Sequence, residues 1–259
     1  MGRRTFGVDA AAIDRLRAPV ARVVHRIGRA FTYDVAQRVE ALEHEVRLAE
    51  FRARRDLFAA GEREAVRESS ELARAIMPGA TWFPNPDATL THALSIAPRG
   101  GMALEFGVWS GRTLAMIAAD RDGATFGFDS FKGLPETWRS GFEEGTFAVD
   151  TVPEVAGAEL VVGWFDDTLP GFLEDHHGPV DLLHVDCDLY SSTKTVLEQV
   201  GPRLRPGSVI VFDEFFNYPG WREHEYRAWN EFVEDRRVAF TYVGYTIDNE
   251  QVVIRLDDA

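Results

Sequence analysis

The stretch Leu104-Glu105-Phe106-Gly107-Val108-Trp109-Ser110-Gly111-Arg112-Thr113 decides how this chain is read. An apolar run from Met102 to Phe106 carries one acid, Glu105. Two glycines spaced G-x-x-x-G follow, and then a helix-like run from Thr113 to Ala119. The pattern predicts a strand, a tight turn and a helix start. Glycine permits dihedrals and close approaches that a Cβ forbids. A helix N-terminus just past a strand suits polar or anionic ligand groups. A dinucleotide fingerprint would read G-x-G-x-x-G, but Trp109 stands where its second glycine belongs. An indole there leaves little room for a pyrophosphate, and a carboxylate at the strand tip favours a cation.

Working outward, the chain alternates apolar runs and helical segments. Strands are expected at 102–106, 124–128, 159–162, 180–185, 208–213, 239–244 and 250–256, and helices near 111–120, 191–203 and 222–235. Such alternation implies a parallel sheet covered by helices on both faces. The last two strands, split by Asp248-Asn249, read as an antiparallel pair. The expected fold is therefore α/β and Rossmann-like, with a seven-stranded, mostly parallel sheet. Met77 to Asp87 contains Pro78, Gly79, Pro84 and Pro86 and reads as a loop at a domain boundary. Two domains are expected, a helical extension over 1–75 and a body over 76–259. In the extension Pro19 fits a helix start. Apolar residues then fall at Val20, Val24, Ile27, Phe31, Val35, Val39, Leu42, Val46 and Ala49, mostly in steps of three and four. That is a coiled-coil-like seam, suited to dimerisation or to a lid.

Composition excludes several classes. The net charge is −14 over 259 residues, which disfavours nucleic acid as a partner. The charge is uneven: residues 1–60 hold 12 Arg against 8 Asp/Glu, about +4, which leaves near −18 for the rest. A single cysteine, Cys187, excludes an internal disulfide and a Cys-based zinc site, and it fits a cytoplasmic protein. No continuous apolar segment follows the N-terminal arginines, so neither a signal peptide nor a membrane span is expected.

Glu105 to Gly111 resembles motif I of class I S-adenosylmethionine (SAM) dependent methyltransferases. Three further stretches narrow the resemblance: Phe128-Asp129-Ser130-Phe131-Lys132-Gly133-Leu134-Pro135, Gly163-Trp164-Phe165-Asp166-Asp167-Thr168-Leu169-Pro170, and His184-Val185-Asp186-Cys187-Asp188-Leu189-Tyr190. Together they are similar to the macrocin O-methyltransferase (TylF/MycF) family, whose members methylate sugar hydroxyls on natural products. The resemblance covers roughly residues 75 to 256. It implies SAM as cofactor, with Glu105, Gly107, Trp109, Ser110, Gly111, Ser130 and Asp186 around it. Asp129 closes the second strand about twenty residues after the glycine turn, where a carboxylate accepts ribose hydroxyls. Trp164 and Phe165 suit one face of an adenine, and Asp166 its amino group.

Four carboxylates end two strands, Asp186 and Asp188 on one, Asp213 and Glu214 on the other. In a doubly wound sheet they converge outside the strand ends. Like charges that close raise one another's pKa values unless neutralised. The sulfonium offsets one, and a hard divalent cation, Mg²⁺, offsets two more through oxygen ligands. The resemblance makes Asp188 the general base and a metal ligand, with Asp213 and Glu214 as its paired ligands. Glu214 stands where that family usually has Asp. His184 is a rival base for a metal-free enzyme acting on an O or N acceptor. Asn217 to Trp221 puts aromatics above the acids, which suits a small hydroxyl acceptor such as a sugar. A homodimer or higher homo-oligomer is expected through the N-terminal seam.

Overall fold

The computed structural model describes residues 10–121 and 123–258, with side chains from residue 33 onward. The chain divides into two compact units, residues 1–60 and 61–259. The first is dominated by α1 (Ala10–Arg55). This helix runs through Pro19 instead of starting there, a correction to the sequence reading. The seam positions Val20, Val24, Ile27 and Phe31 lie outside the described side chains. Those that follow, Val35, Val39, Leu42 and Val46, are all exposed. Ion pairs at i,i+4 spacing run along the same helix, Asp34 with Arg38, Glu43 with Arg47 and Glu50 with Arg54. Such pairs contribute a few tenths of a kcal/mol each, so they support the helix without giving it a core.

The second unit begins within α2 (Leu57–Ile76), whose Ala65, Leu72 and Ala73 join the main apolar cluster. It then runs β1 (Thr81–Phe83), α3 (Pro86–Ile96), β2 (Met102–Phe106), α4 (Arg112–Asp120), β3 (Thr125–Asp129), β4 (Glu159–Val162) and α5 (Phe165–Asp175). After these come β5 (Val180–Val185), α6 (Tyr190–Val200), β6 (Leu204–Phe212), α7 (Glu225–Arg236), β7 (Phe240–Thr246) and β8 (Val252–Leu256). The eight strands form one sheet in the order β1-β7-β8-β6-β5-β2-β3-β4. All pairings are parallel except the two made by β8. Every residue of β2 and β5 is buried, as expected for central parallel strands covered on both faces.

The sheet has one strand more than expected. β1 occupies part of the segment read as a loop, with Thr81 to Phe83 opposite Gly244 to Thr246. A strand of three residues is too short to show an alternation. Two helices were also unread, α3 and α5. Asn85 caps α3 through Oδ1, which accepts from the Ala88 N–H at 2.9 Å. Pro170-Gly171, a turn signal by sequence, lies inside α5.

The order places the topological switch point between β2 and β5. From β2 the chain moves outward through β3 and β4, then returns to the other side of β2 as β5. The carboxyl ends of two diverging strands leave a crevice there, the usual ligand position in an open α/β sheet.

Candidate active site

A cleft of about 680 Å³ opens over that switch point, within the range of small-molecule sites. One end is built by the bend after β2. Gly107 has φ 92 and Trp109 φ 44, both left-handed. The glycine is forced by the sheet itself: a Cβ on Gly107 would lie 1.6 Å from the Asp186 carbonyl oxygen. Asp129 braces the bend. Its Oδ2 accepts from the N–H groups of Val108 and Trp109 at 2.9 and 2.8 Å, and its Oδ1 accepts from Phe131 at 2.7 Å. Ser110, Ser130, Trp164, Phe165 and Asp166 line the same end. Gly111 closes the bend with φ 78, directly before α4. Trp164 is half-exposed at the start of α5, and Phe165 packs edge-on against Phe106 at 5.2 Å.

The other end is acidic. Asp186, Asp213 and Glu214 each offer an oxygen, all within 4.8 Å of one another. Asp188 lines the same cleft from a left-handed backbone, φ 62, but stands outside that set. The geometry therefore groups Asp186, and not Asp188, with Asp213 and Glu214. Burial, and then the charge of Asp213, pushes the Asp186 carboxyl well above its usual range. Burial and Asp188 do the same to Glu214. Burial and Asp213 raise Asp188 to about 7, against the opposing pull of Arg139. Glu214 Oε2 is buried with no hydrogen-bond partner. This is an oxygen donor set in need of positive charge, and it fits a hard divalent cation.

His184 and Glu105 lie beneath this floor and are not among the cleft-lining residues. His184 Nδ1 is 2.8 Å from Glu105 Oε1, and its Nε2 faces Asp213 Oδ1 at 3.6 Å. Burial opposes a charged ring, but the bonds to Asp213 and Glu105 outweigh it and hold the pKa well above the ordinary value. Both ring nitrogens face carboxylates, so the imidazolium is sealed between two acids. Neither ring nitrogen faces the cleft, so the geometry gives no support to the rival-base reading of His184. Glu105, also fully buried, spends one oxygen on His184 instead of facing the cleft. Asp213 is half-buried; desolvation opposes its ionisation, yet the bond and charge of His184, with a hydrogen bond from Gln251 at 3.1 Å, lower its pKa. Cys187 packs against the Thr193 hydroxyl at 3.6 Å.

Residues 104–215 match the family model described as a methyltransferase domain. That stretch, similar to methyltransferase domains, contains the glycine bend and both acidic strand tips. Among curated proteins it is similar to the 8-demethyl-8-(2,3-dimethoxy-alpha-L-rhamnosyl)-tetracenomycin-C 4'-O-methyltransferase of Streptomyces olivaceus. The two are 32% identical over 44% of this chain and 53% of that one. It is also 29% identical to the mycinamicin III 3''-O-methyltransferase of Micromonospora griseorubida, over 53% of this chain and 66% of that protein. The chain thus spans about half to two thirds of the length of these relatives. Among solved structures, a calicheamicin methyltransferase matches with a TM-score of 0.53 and 27% identity, over 66% of this chain and 77% of its own.

Several residues of the cleft were not read from the sequence. Leu134, Glu136, Trp138 and Phe147 come from the 29 residues between β3 and β4. The length of that irregular segment was the available signal, since structureless connections so long are uncommon in compact domains and usually functional. Arg139 from the same segment pairs with Glu250 at 3.1 Å and stacks on Trp138 and Tyr218 at 4.0 and 4.5 Å. It pins the segment beside the acidic end. Glu225, fully buried at the start of α7, accepts the Glu214 N–H through Oε2 at 3.0 Å. It thereby fixes the backbone of one member of the donor set.

Proposed function

We propose that this protein is a SAM-dependent O-methyltransferase acting on a hydroxyl of a glycosylated or polyhydroxylated small molecule, with Mg²⁺ assistance and Asp188 as general base. The observation that carries the reading is the single cleft at the switch point. A glycine bend and flat aromatics stand at one end, a partly buried oxygen-donor set at the other. The names of both relatives describe O-methylation of a natural product, which supports the acceptor class.

In this reading the bend at Gly107 to Gly111 receives the amino-acid part of SAM, Asp129 the ribose hydroxyls, and Trp164, Phe165 and Asp166 the adenine. SAM supplies a methyl group on a positively charged sulfur. Asp186, Asp213 and Glu214 would hold Mg²⁺, which supplies Lewis acidity toward a hydroxyl that is otherwise a poor nucleophile. Asp188 accepts the hydroxyl proton. With its pKa raised to about 7, it is half-ionised near neutral pH, the range in which a general base is most effective. The cleft walls hold acceptor and donor in line, and positioning contributes much of the rate.

The same pKa supports a second reading, in which Asp188 works without a cation. Chelator treatment with metal add-back separates the two: full turnover in excess chelator removes the Mg²⁺ claim. Chromatography of reaction products with radiolabelled SAM and a panel of natural-product glycosides tests the reaction itself. Transfer to nitrogen or carbon, or to none of the panel, counts against it. A cytoplasmic location and assembly into a homo-oligomer through α1 belong to the same proposal. The exposed seam supports the second. No described helix is long and apolar enough to cross a membrane.

A further inference from the structure

The backbone that carries Asp213 and Glu214 leaves β6 and runs in irregular structure as far as Gly220. Four of the five N–H groups from Asp213 to Asn217 are accepted by groups from elsewhere in the fold. Two of the acceptors are backbone: Asp213 donates to the Val185 oxygen of β5 at 2.9 Å, and Phe215 to the Glu250 oxygen at 3.0 Å. The other two are buried side chains. Glu225 Oε2, at the start of α7, takes the Glu214 N–H at 3.0 Å, and Ser69 Oγ, on α2, takes the Asn217 N–H at 2.8 Å.

These two braces act at different points. Ser69 holds the loop at Asn217, where the backbone is left-handed with φ 70, past the donor set. Glu225 holds a member of the set itself. Glu214 lines the cleft, and its Oε2 is buried with no hydrogen-bond partner. No protein group fixes that oxygen directly, so its aim follows from the backbone beneath it. A glutamate has one torsion more than an aspartate, and it depends on that anchor the more. Glu225 is also a poor choice for folding alone. A carboxyl is almost never fully buried unless paired, and Glu225 Oε1 is buried without a partner, which opposes folding.

We propose that Glu225 is a positioning residue for the cation site: by accepting the Glu214 N–H it sets where the Glu214 carboxylate stands, and so sets the affinity of the Asp186, Asp213 and Glu214 oxygens for a divalent ion. The role rests on the Mg²⁺ reading above and deepens it. It is one of reach, a hydrogen bond made at a fixed distance, and not one of charge.

The full chain, saturated with S-adenosylhomocysteine, is titrated calorimetrically with MgCl₂ as the parent, Glu225→Gln, Glu225→Asp and Ser69→Ala. Glutamine keeps the length and an acceptor oxygen but removes the charge. Aspartate keeps the charge but is shorter by one methylene. Glu225→Gln should bind Mg²⁺ within about threefold of the parent, and Glu225→Asp about 10–100-fold more weakly, the usual cost of losing a group that orients a ligand. Ser69→Ala loses a buried hydrogen bond in the same loop and should lower Tm, yet keep Mg²⁺ affinity within about threefold. S-adenosylhomocysteine affinity, read first in the same samples, should stay within a few-fold in every variant.

Parental Mg²⁺ affinity in Glu225→Asp overturns the proposal. So does a Glu225→Gln as weak as Glu225→Asp, because charge would then be the cause. Equal weakening in Ser69→Ala overturns it as well, since any loosening of the loop would then suffice. In each of these cases the parent still binds the ion and the Mg²⁺ reading stands. No Mg²⁺ binding by the parent removes that reading, and the role of Glu225 with it.

Discussion

Replacing Gly107 by alanine tests whether the bend after β2 is built as described. The new Cβ would stand 1.6 Å from the carbonyl oxygen of Asp186 and 2.7 Å from its carbon. An ordinary carbon–oxygen contact is about 3.3 Å or more, so roughly half the separation is missing. Neither clashing atom belongs to a flexible side chain. The strand tips are also tied, the Asp186 N–H to the Phe106 oxygen at 2.8 Å and the Gly107 N–H to the Phe128 oxygen at 2.9 Å. Two costs add. A side chain at left-handed φ costs about 1–2 kcal/mol, and overpacking a close-packed site costs about 1–3 kcal/mol. The sum, about 2–5 kcal/mol, corresponds to a Tm lower by roughly 4–20 °C for a unit of this size. Gly141→Ala is the control: its φ is 88, but nothing lies within 4 Å of the added carbon. It should lose the smaller, purely conformational part. Spreading the tips also moves the Asp186 carboxylate, so S-adenosylhomocysteine affinity should fall at least about tenfold, near 1.4 kcal/mol. Thermal unfolding and titration calorimetry on both variants decide the matter. If Gly107→Ala melts with Gly141→Ala and binds like the parent, the close approach of the two strand tips is wrong.

Other outcomes follow from the same site. Asp188→Asn should keep S-adenosylhomocysteine affinity within a few-fold while lowering kcat by about 10²–10⁴. Retained turnover would remove its role as base. The raised carboxyls of Asp186, Asp188 and Glu214 hold protons in the folded state that the unfolded chain has released. The folded state then binds more protons, so these groups contribute stability below about pH 4 that is lost as pH rises toward 7 for Asp188. Asp213 runs the other way, with a lowered pKa. In chelator, Tm should therefore fall between about pH 5 and 8, and Mg²⁺ should remove the fall because it binds the ionised form. A flat profile, unmoved by Mg²⁺, contradicts the partly buried donor set. Deleting residues 1–60 removes the exposed seam of α1 and should lower the oligomer mass by light scattering with little effect on S-adenosylhomocysteine affinity. An unchanged mass per protomer count defeats the seam.

How much of this was readable depended on how local each cause is. β2 and β5 were legible because a central parallel strand is mostly apolar, and each is a short apolar run interrupted only by Glu105 in the first and by Asp181 and His184 in the second. The glycine bend was legible as a bend, but its physical reason was not. Gly107 is demanded by the Asp186 backbone, 79 residues later. β1 was hidden because its partner strand lies far along the chain and three residues carry no period. Which of the acids stand nearest one another was not legible, for a reason of backbone shape. Asp186 and Asp188 alternate in the sequence like neighbours on one strand face, but β5 has ended by then and Asp188 is left-handed, so the alternation no longer applies.

His184 shows the limit most clearly. Register sets Glu105 opposite His184 and His184 opposite Val211, which brings Glu105, His184 and Asp213 together under the cleft from three strands that no local pattern connects. A histidine among acids reads as a base from sequence; placed between two of them, 1% exposed, it reads as their counter-charge. The difference is measurable. His184→Leu would leave Glu105 and Asp213 facing apolar volume with no cation, and breaking a buried pair in this way costs about 3–5 kcal/mol. A free base, by contrast, is removed at small cost to folding and large cost to rate. A variant that melts near the parent temperature while losing turnover would restore His184 as the base. A large loss of stability, with the turnover of the surviving folded fraction depending on pH as before through Asp188, is the outcome the buried ion row requires.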